Sequence, residues 1–361
     1  MPAAPGPPAA PVAEKSVSVL RRRWRKFRTL KRGWYSFLLL IALYALSLAS
    51  PLLINNQALV VKYQGEYYFP AIGAHREARD FGQRTIGEAQ YRLLKKQFAE
   101  AGEGNWVLMP PYPFHPNENL LLDPELSGNP PHPPSARNWL GTDDRGRDVF
   151  ARLVYGFRIS VTFAAGVVLV AYLIGMTLGA TLGFFGGRVD FYGQRLVEIW
   201  SGMPFLYTVI IISAIIAPNI WVLIMILSVF SWVSISYYMR GEFYREKAKD
   251  YVSAAIAQGE SNPAIMFKHI LPNALTPIIS FAPFALVTAI TSLVALDYLG
   301  FGLRPPTPSW GELIAQGLSN IKKWHLVVFP LGALFSTLLM VVFIGEAIRE
   351  AFDPKVFSRL R

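Results

Sequence analysis

The stretch Asp250–Asn273, DYVSAAIAQGESNPAIMFKHILPN, decides the reading of the chain. It is a short polar segment between long runs of membrane-grade hydrophobicity, and its punctuation predicts two small helices. Asp250 is expected as N-cap of the first, because its carboxylate can accept from free backbone amides. Gly259 is expected to end it, because glycine takes the left-handed conformation at little steric cost. Asn262 and Pro263 then open the second helix as N-cap and N1. Ser253, Ala254 and Ala255 give the first helix a face with little side-chain bulk, which lets another protein approach its backbone closely. A helix pair of this kind at a membrane surface reads as a docking device.

Working outward, 52% of the residues are hydrophobic, and several stretches exceed the roughly 20 apolar residues that cross a hydrocarbon core of ~30 Å. The chain reads as an integral membrane protein with six spans, at Gly33–Ile54, Ile159–Phe184, Phe191–Pro218, Ile220–Met239, Ala274–Asp297 and Leu326–Ile348. Only Pro218 and Asn219 separate the third from the fourth. The basic run Arg21–Arg32 precedes the first span, and the docking segment adds Arg240, Arg245, Lys247, Lys249 and Lys268. Six spans from a cytoplasmic amino terminus place both inside, as the bias of Lys and Arg toward cytoplasmic loops requires. The net charge of +11 is therefore largely topogenic and meets anionic lipid head groups. No nucleic-acid-binding pattern follows the basic run.

This divides the chain into a basic cytoplasmic tail (1–32), a retained first anchor (33–54), an extracytoplasmic insertion (55–158), a five-helix core (159–348) with the docking loop at 240–273, and a cytoplasmic tail (349–361). Residues 1–20 are rich in Pro and Ala and read as disordered. The insertion is polar and rich in aromatics and prolines, as in WVLMPPYPFHP at Trp106–Pro116. Alternation near Leu59–Phe69 predicts strands and Glu88–Gly102 a short amphipathic helix. Prolines make most of the rest irregular, so the insertion needs another surface to pack on.

Gly175, Gly179 and Gly183 recur every four residues on one face of the second span, the small-residue spacing that lets helices approach in lipid. Pro204, Pro283 and Pro330 interrupt hydrogen bonding in or near spans. Ionisable residues are nearly absent from the spans, and inverted repeats are not evident, which argues against a secondary peptide transporter. A membrane-anchored scaffold would need only one span and leave five idle. Asp297 and Glu198 fall near span ends. With no cysteine, no phosphate-binding loop and five scattered histidines, neither catalytic chemistry nor a metal site is expected.

The docking segment resembles the EAA loop of permease subunits in bacterial ABC importers, with Ala254, Ala255, Gly259, Leu271, Pro272 and Asn273 at matching places. Three further blocks resemble the C-type permease of dipeptide, oligopeptide and nickel importers. These are GTDDRGRDVFARLVYGFRIS at Gly141–Ser160, YLGFGLRPPTPSWGELI at Tyr298–Ile314 and EAIREAFDP at Glu346–Pro354. Residues 55–140 are similar to the sub-branch that imports microcin C-like peptides.

The resemblance implies an all-α polytopic inner-membrane protein of the type I ABC importer permease fold, with six spans and an extracytoplasmic insertion between the first two. It implies a non-catalytic subunit that forms half of a peptide pathway beside a second homologous permease. Two ATPase subunits would bind ATP and Mg and take the docking helix in a groove, and a periplasmic binding protein would deliver substrate. A permease for nickel or another small solute is the alternative. Asp143, Asp144, Arg145 and Asp148 are implied as candidates for the gate or the binding-protein surface, although Asp143 or Asp144 equally suits a helix cap. The loop Pro305–Glu312 would pack rigidly on the same side. Ser253 stands where the motif has glutamate and Gln258 where it has an apolar residue. Gly259 is the strongest single coupling residue, since a side chain there would meet backbone strain and a crowded junction.

Overall fold

The structure, a computed structural model, describes residues 19–73, 76–121, 123, 126 and 128–352. The tail read as disordered, apart from its last two residues, His75 and the chain beyond Phe352 lie outside them.

In chain order, α1 (Val19–Thr29) breaks at Leu30 into α2 (Lys31–Leu48). An irregular segment follows, holding β1 (Val60–Tyr63), β2 (Glu66–Tyr68), α3 (Tyr91–Ala101) and β3 (Trp106–Leu108). The long helix α4 (Val149–Phe185) leads to α5 (Gly187–Ser201) and α6 (Phe205–Ile215), then to α7 (Ile220–Lys247). After α8 (Asp250–Ala257) come α9 (Asn262–Tyr298), α10 (Trp310–Ser319) and α11 (His325–Phe352).

Four helices are long and apolar enough to cross a membrane, α4, α7, α9 and α11, and α5 with α6 makes a fifth if that bent pair is one span. The expectation of six is thus met in part. The third expected span is two helices bent by 70°, because Gly202 and Met203 intervene and Pro204, having no amide to donate, stands as N-cap of α6. The first is only 18 residues long and opens on Lys31 and Arg32. Asn219 makes the tight boundary before α7 by accepting from Val222 N at 3.0 Å.

The three glycines do what their spacing predicts. A Cβ on Gly175 would lie 2.6 Å from Trp232 O, one on Gly179 2.9 Å from Met239 Cβ, and one on Gly183 2.6 Å from Arg240 O. α4 therefore lies backbone to backbone against α7, and Ser228 Oγ donates across the pair to Val167 O at 3.3 Å. Phe163, Val167, Leu223, Leu227, Ile290 and Leu293 join α4, α7 and α9 in the central core.

The all-α expectation is corrected by a small antiparallel sheet of order β2-β1-β3, in the region where alternation had predicted strands. Val61 pairs with Tyr68 and Val107, and its side chain is buried with Phe81, Leu94 and Phe98 beneath the sheet. The segment also finds the packing surface it needs. Tyr112, Phe114 and Leu120 pack on Ala151 and Tyr155 in the first turns of α4, and Tyr155 donates to Ile54 O at 3.0 Å.

Candidate functional site

The docking segment folds almost as read, shifted by one residue. Lys249 is the N-cap of α8 without a side-chain bond, so Asp250 sits inside the first turn rather than before it. Gly259 has φ +76°. Its amide donates to Ile256 O at 3.0 Å and that of Glu260 to Ala255 O at 3.2 Å, the paired bonds of a glycine-terminated helix. No atom lies within 4 Å of where a Gly259 Cβ would be, so the crowding expected there does not come from this chain. Ser261, not Asn262, is the next N-cap. The second helix is not separate: it passes through a π-helical turn, Ile265–Ile270, straight into the rest of α9.

α8 has two faces. Val252 and Ala255 point inward and are buried with Phe243, Ile265 and Ile270. Ser253, Ala254, Ile256 and Gly259 face out, as does Phe267 on the following turn. Leu271 is half-buried, and Pro272 and Asn273 are exposed.

Polar bonds bind this unit to the helices on either side. Glu246, buried at the end of α7, accepts from Lys249 Nζ at 2.7 and 2.8 Å and from Tyr251 OH at 2.9 Å. Asn273 donates to Tyr251 OH at 3.4 Å and to His269 O at 2.9 Å. Glu260 and His269 meet at 2.7 Å. α8 is therefore bonded to α7 and α9 together.

At the N-terminal end of α4 lies a second constellation. Asp143 is fully buried. It accepts from the amides of Arg145 and Arg147 at 3.0 and 2.8 Å and from Arg147 Nε at 2.7 Å. Arg147 reaches on to Glu312 at 3.0 Å. Glu312 also accepts from Arg152, whose Nη1 donates to Pro116 O at 3.0 Å and to Pro306 O at 3.4 Å. Two buried arginines and two carboxylates thus alternate, and they clamp three parts of the chain: the segment between α2 and α4, α4 itself and the loop before α10. Burial pulls Arg147 down, and its bonds to Asp143 and Glu312 more than offset this, holding its pKa above the ordinary value.

The helix cap weighed for Asp143 or Asp144 falls to Asp148, which accepts from Ala151 N at 2.8 Å, Tyr112 OH at 2.6 Å and Asn138 Nδ2 at 2.8 Å. Burial pushes the Asp148 carboxyl up, against the three bonds that hold it down. Asp144 and Arg145 are exposed at the turn between these buried carboxylates. The loop before α10, expected to pack rigidly, is tied down by buried bonds. Asp297 accepts from Leu303 N at 2.6 Å and from Ser309 Oγ at 2.5 Å, and the buried Trp310 donates to Leu153 O at 3.0 Å.

Residues 175–358, which include α8, the start of α9 and the loop before α10, match the family described as binding-protein-dependent transport system inner membrane component. The chain belongs to this family. The permease is 41% identical over 339 residues to the inner membrane ABC transporter permease protein YejE of Escherichia coli, covering 93% of this chain and 97% of that one. It is 38% identical to the peptidoglycan transport system permease protein YejE of Agrobacterium fabrum, over 93% of each chain. It is 36% identical to the dipeptide transport system permease protein DppC of Bacillus subtilis, over 62% of this chain and 71% of that one. It is a permease subunit of an ABC importer.

Several residues of the permease that organise these two places escaped the sequence reading. Arg147 and Glu312 stood inside quoted blocks, but 165 residues separate them, and no spacing rule links such positions. Ile256 and Phe267 look like core residues in sequence and are exposed. Glu246 looks like an ordinary surface acid and is buried.

Proposed function

We propose that the permease forms half of a translocation pathway for peptides or peptide-like compounds, with a second homologous permease subunit forming the other half. Two separate ATPase subunits bind ATP and Mg and dock against α8, and a periplasmic binding protein delivers substrate at the opposite end.

The observation that carries the coupling reading is the two-faced α8. Its inner face is packed into the bundle, its outer face carries small residues around the apolar Ile256, and Glu246 and Asn273 tie it through Tyr251 to two long helices. A short helix of this form in a groove converts rigid-body closure of a partner into rearrangement of the bundle. Ala254, Gly259 and the exposed Ile256 and Phe267 make the contact, with Pro272 and Asn273 at its rim. Ala255 and Leu271 support it from inside.

The topology follows the same reading. α2 serves as a short first span, since Leu38, Leu39, Ile41 and Leu46 are exposed on it and Lys31 and Arg32 sit at its head-group end. With α5 and α6 as one broken span the total is six. The bias of Lys and Arg toward cytoplasmic loops supports α1, α8 and both termini in the cytoplasm and residues 55–158 outside. On that outer side the exposed Asp144 and Arg145 meet the binding protein, and Asp143 and Asp148 fix the turn that presents them.

Peptide is favoured over nickel because relatives carry peptidoglycan and dipeptide transport in their names, and because no group of three His, Asp or Glu gathers among the described residues. The test is uptake of labelled oligopeptide and of nickel by cells with and without the permease, before and after ATP depletion. Peptide uptake that needs both the permease and ATP supports the reading. Nickel uptake alone, or peptide uptake unaffected by ATP depletion, would overturn it.

A further inference from the structure

α1 carries a feature that docking of ATPases and substrate does not use. Its positions 21, 25 and 28 are all arginine, spaced i, i+4 and i+7, and so form one row along the helix. All three side chains are exposed. Arg21 and Arg25 have no ion-pair partner among the described residues, and the printed contact of Arg28 is with the Trp34 ring, at 5.3 Å. α1 contains no acidic residue to balance them.

The opposite face is fixed. Phe27 is buried against Ile344, Ala347 and Ala351 of α11. Trp24, Phe27, Trp34 and Phe37 form one aromatic corner with ring centroids 5.6 to 6.0 Å apart, and this sets α1 against α2. Lys26 bonds Glu350 O at 2.9 Å. The exposed row is thus held in a constant orientation. Its Arg28 end meets Trp34 in the first turn of α2, the helix whose leucines further along are exposed.

We infer that this arginine row is a docking surface for the phosphate groups of anionic phospholipid, and that its occupancy sets the strength of coupling. The inference rests on the reading of α8 given above. Charge complementarity selects the occupant: the row is cationic, α1 holds no acid to balance it, it meets the start of the apolar α2 through Trp34, and it has the exposed indole of Trp24 beside it.

The route to coupling is short. Arg23, on the inner side of α1, donates from Nη1 to Thr276 Oγ1 at 3.0 Å. Thr276 lies three residues beyond Asn273 in α9, the helix that leaves the docking segment. The Arg23 guanidinium also lies over the Phe352 ring, 4.7 Å from its centroid. Lipid that seats α1 therefore positions the root of the helix through which α8 moves the bundle. Each basic residue near an anionic surface contributes about fivefold in lipid affinity, so three amount to roughly a hundredfold.

The experiment uses the complete complex of permease and ATPases, reconstituted in phosphatidylcholine vesicles with and without phosphatidylglycerol. ATP hydrolysis is measured beside retention of phosphatidylglycerol by the purified permease in native mass spectrometry. Wild type is expected to retain the lipid and to be stimulated by it. The combined Arg21→Gln, Arg25→Gln, Arg28→Gln variant should lose retention by roughly a hundredfold and lose stimulation, and the matching triple lysine variant should restore both. Arg23→Gln should retain lipid and lose stimulation.

An unchanged lipid response in the triple Gln variant overturns the inference. So does loss of ATPase subunits from that variant in lipid-free detergent, which would assign the row to an acidic protein partner. Full stimulation of Arg23→Gln overturns the route through Thr276. Lipid retention by the permease is read without ATPases, so failure of the coupling reading would show separately, as wild type that forms no ATPase complex in any lipid.

Discussion

Asp148 offers a substitution whose cost can be worked from its partners. In Asp148→Ala the first turn of α4 loses its cap, worth about 1 kcal/mol. Tyr112 OH and Asn138 Nδ2, both bonded to the carboxylate in a buried setting, lose their acceptor, at about 1–3 kcal/mol each. The total is on the order of 3–7 kcal/mol.

Asp148→Asn should behave differently. Its Oδ1 can still cap the helix, and Asn138 has an unpartnered buried Oδ1 that a flip of its amide would turn toward the new Nδ2. The sign of the pH effect adds to the contrast. Because burial raises the folded pKa of Asp148 above the ordinary 3.8, its stabilisation is full below that value and is lost as pH rises through the folded pKa. In the Asn variant only Tyr112 OH is left without its acceptor, so it should lose about 1–3 kcal/mol, less than Asp148→Ala.

The assay is thermal and denaturant unfolding of the detergent-purified permease at neutral and mildly acidic pH, with proteolysis of the segment between α2 and α4 as a second readout. Asp148→Ala as stable as wild type, or Asp148→Asn as unstable as Asp148→Ala, would refute the reasoning.

Gly179→Val forces a side chain against Met239 in the seam of α4 and α7. It should lower stability by about 1–3 kcal/mol, read as a fall in the unfolding temperature of the purified permease. Glu312→Ala leaves Arg147 and Arg152 without their shared carboxylate and should cost about 3–5 kcal/mol, with earlier protease cleavage between Tyr112 and Arg147. Ile256→Ser with Phe267→Ser removes exposed apolar surface only. Unfolding should be unchanged, while ATP-dependent uptake falls severalfold.

The parts legible in sequence are those whose causes are local. Gly175, Gly179 and Gly183 had to meet a neighbouring backbone because small residues at that spacing serve little else in lipid, and α7 supplies it. Gly259 had to end a helix. The alternation before Phe69 had to be strand, since its inward side chains need a buried face.

The parts that were not legible depend on distant partners or on competition between equals. Three aspartates within six residues all suit a cap, and only the positions of Tyr112 and Asn138 select Asp148. The break in the third span was not legible because Gly202, Met203 and Pro204 interrupt it over three residues only, while a continuous helix would carry the same flanking residues. The face of α8 was legible as small. Its apolar contacts were not, because an exposed Ile256 and a buried one read alike.

The central claim is that α8 is the coupling helix of an ABC importer. Affinity purification of the permease from native membranes in mild detergent, wild type beside Gly259→Asp, with mass spectrometry of what accompanies each, tests it most directly. Aspartate at φ +76° costs about 1–2 kcal/mol of local strain and puts a charge on the exposed face while leaving the bundle intact. The account predicts a second permease with both proteins and ATPase subunits with wild type, depleted from the variant. ATPases recovered equally with a stably inserted Gly259→Asp, or absent from wild type that still brings down its sister permease, would contradict it.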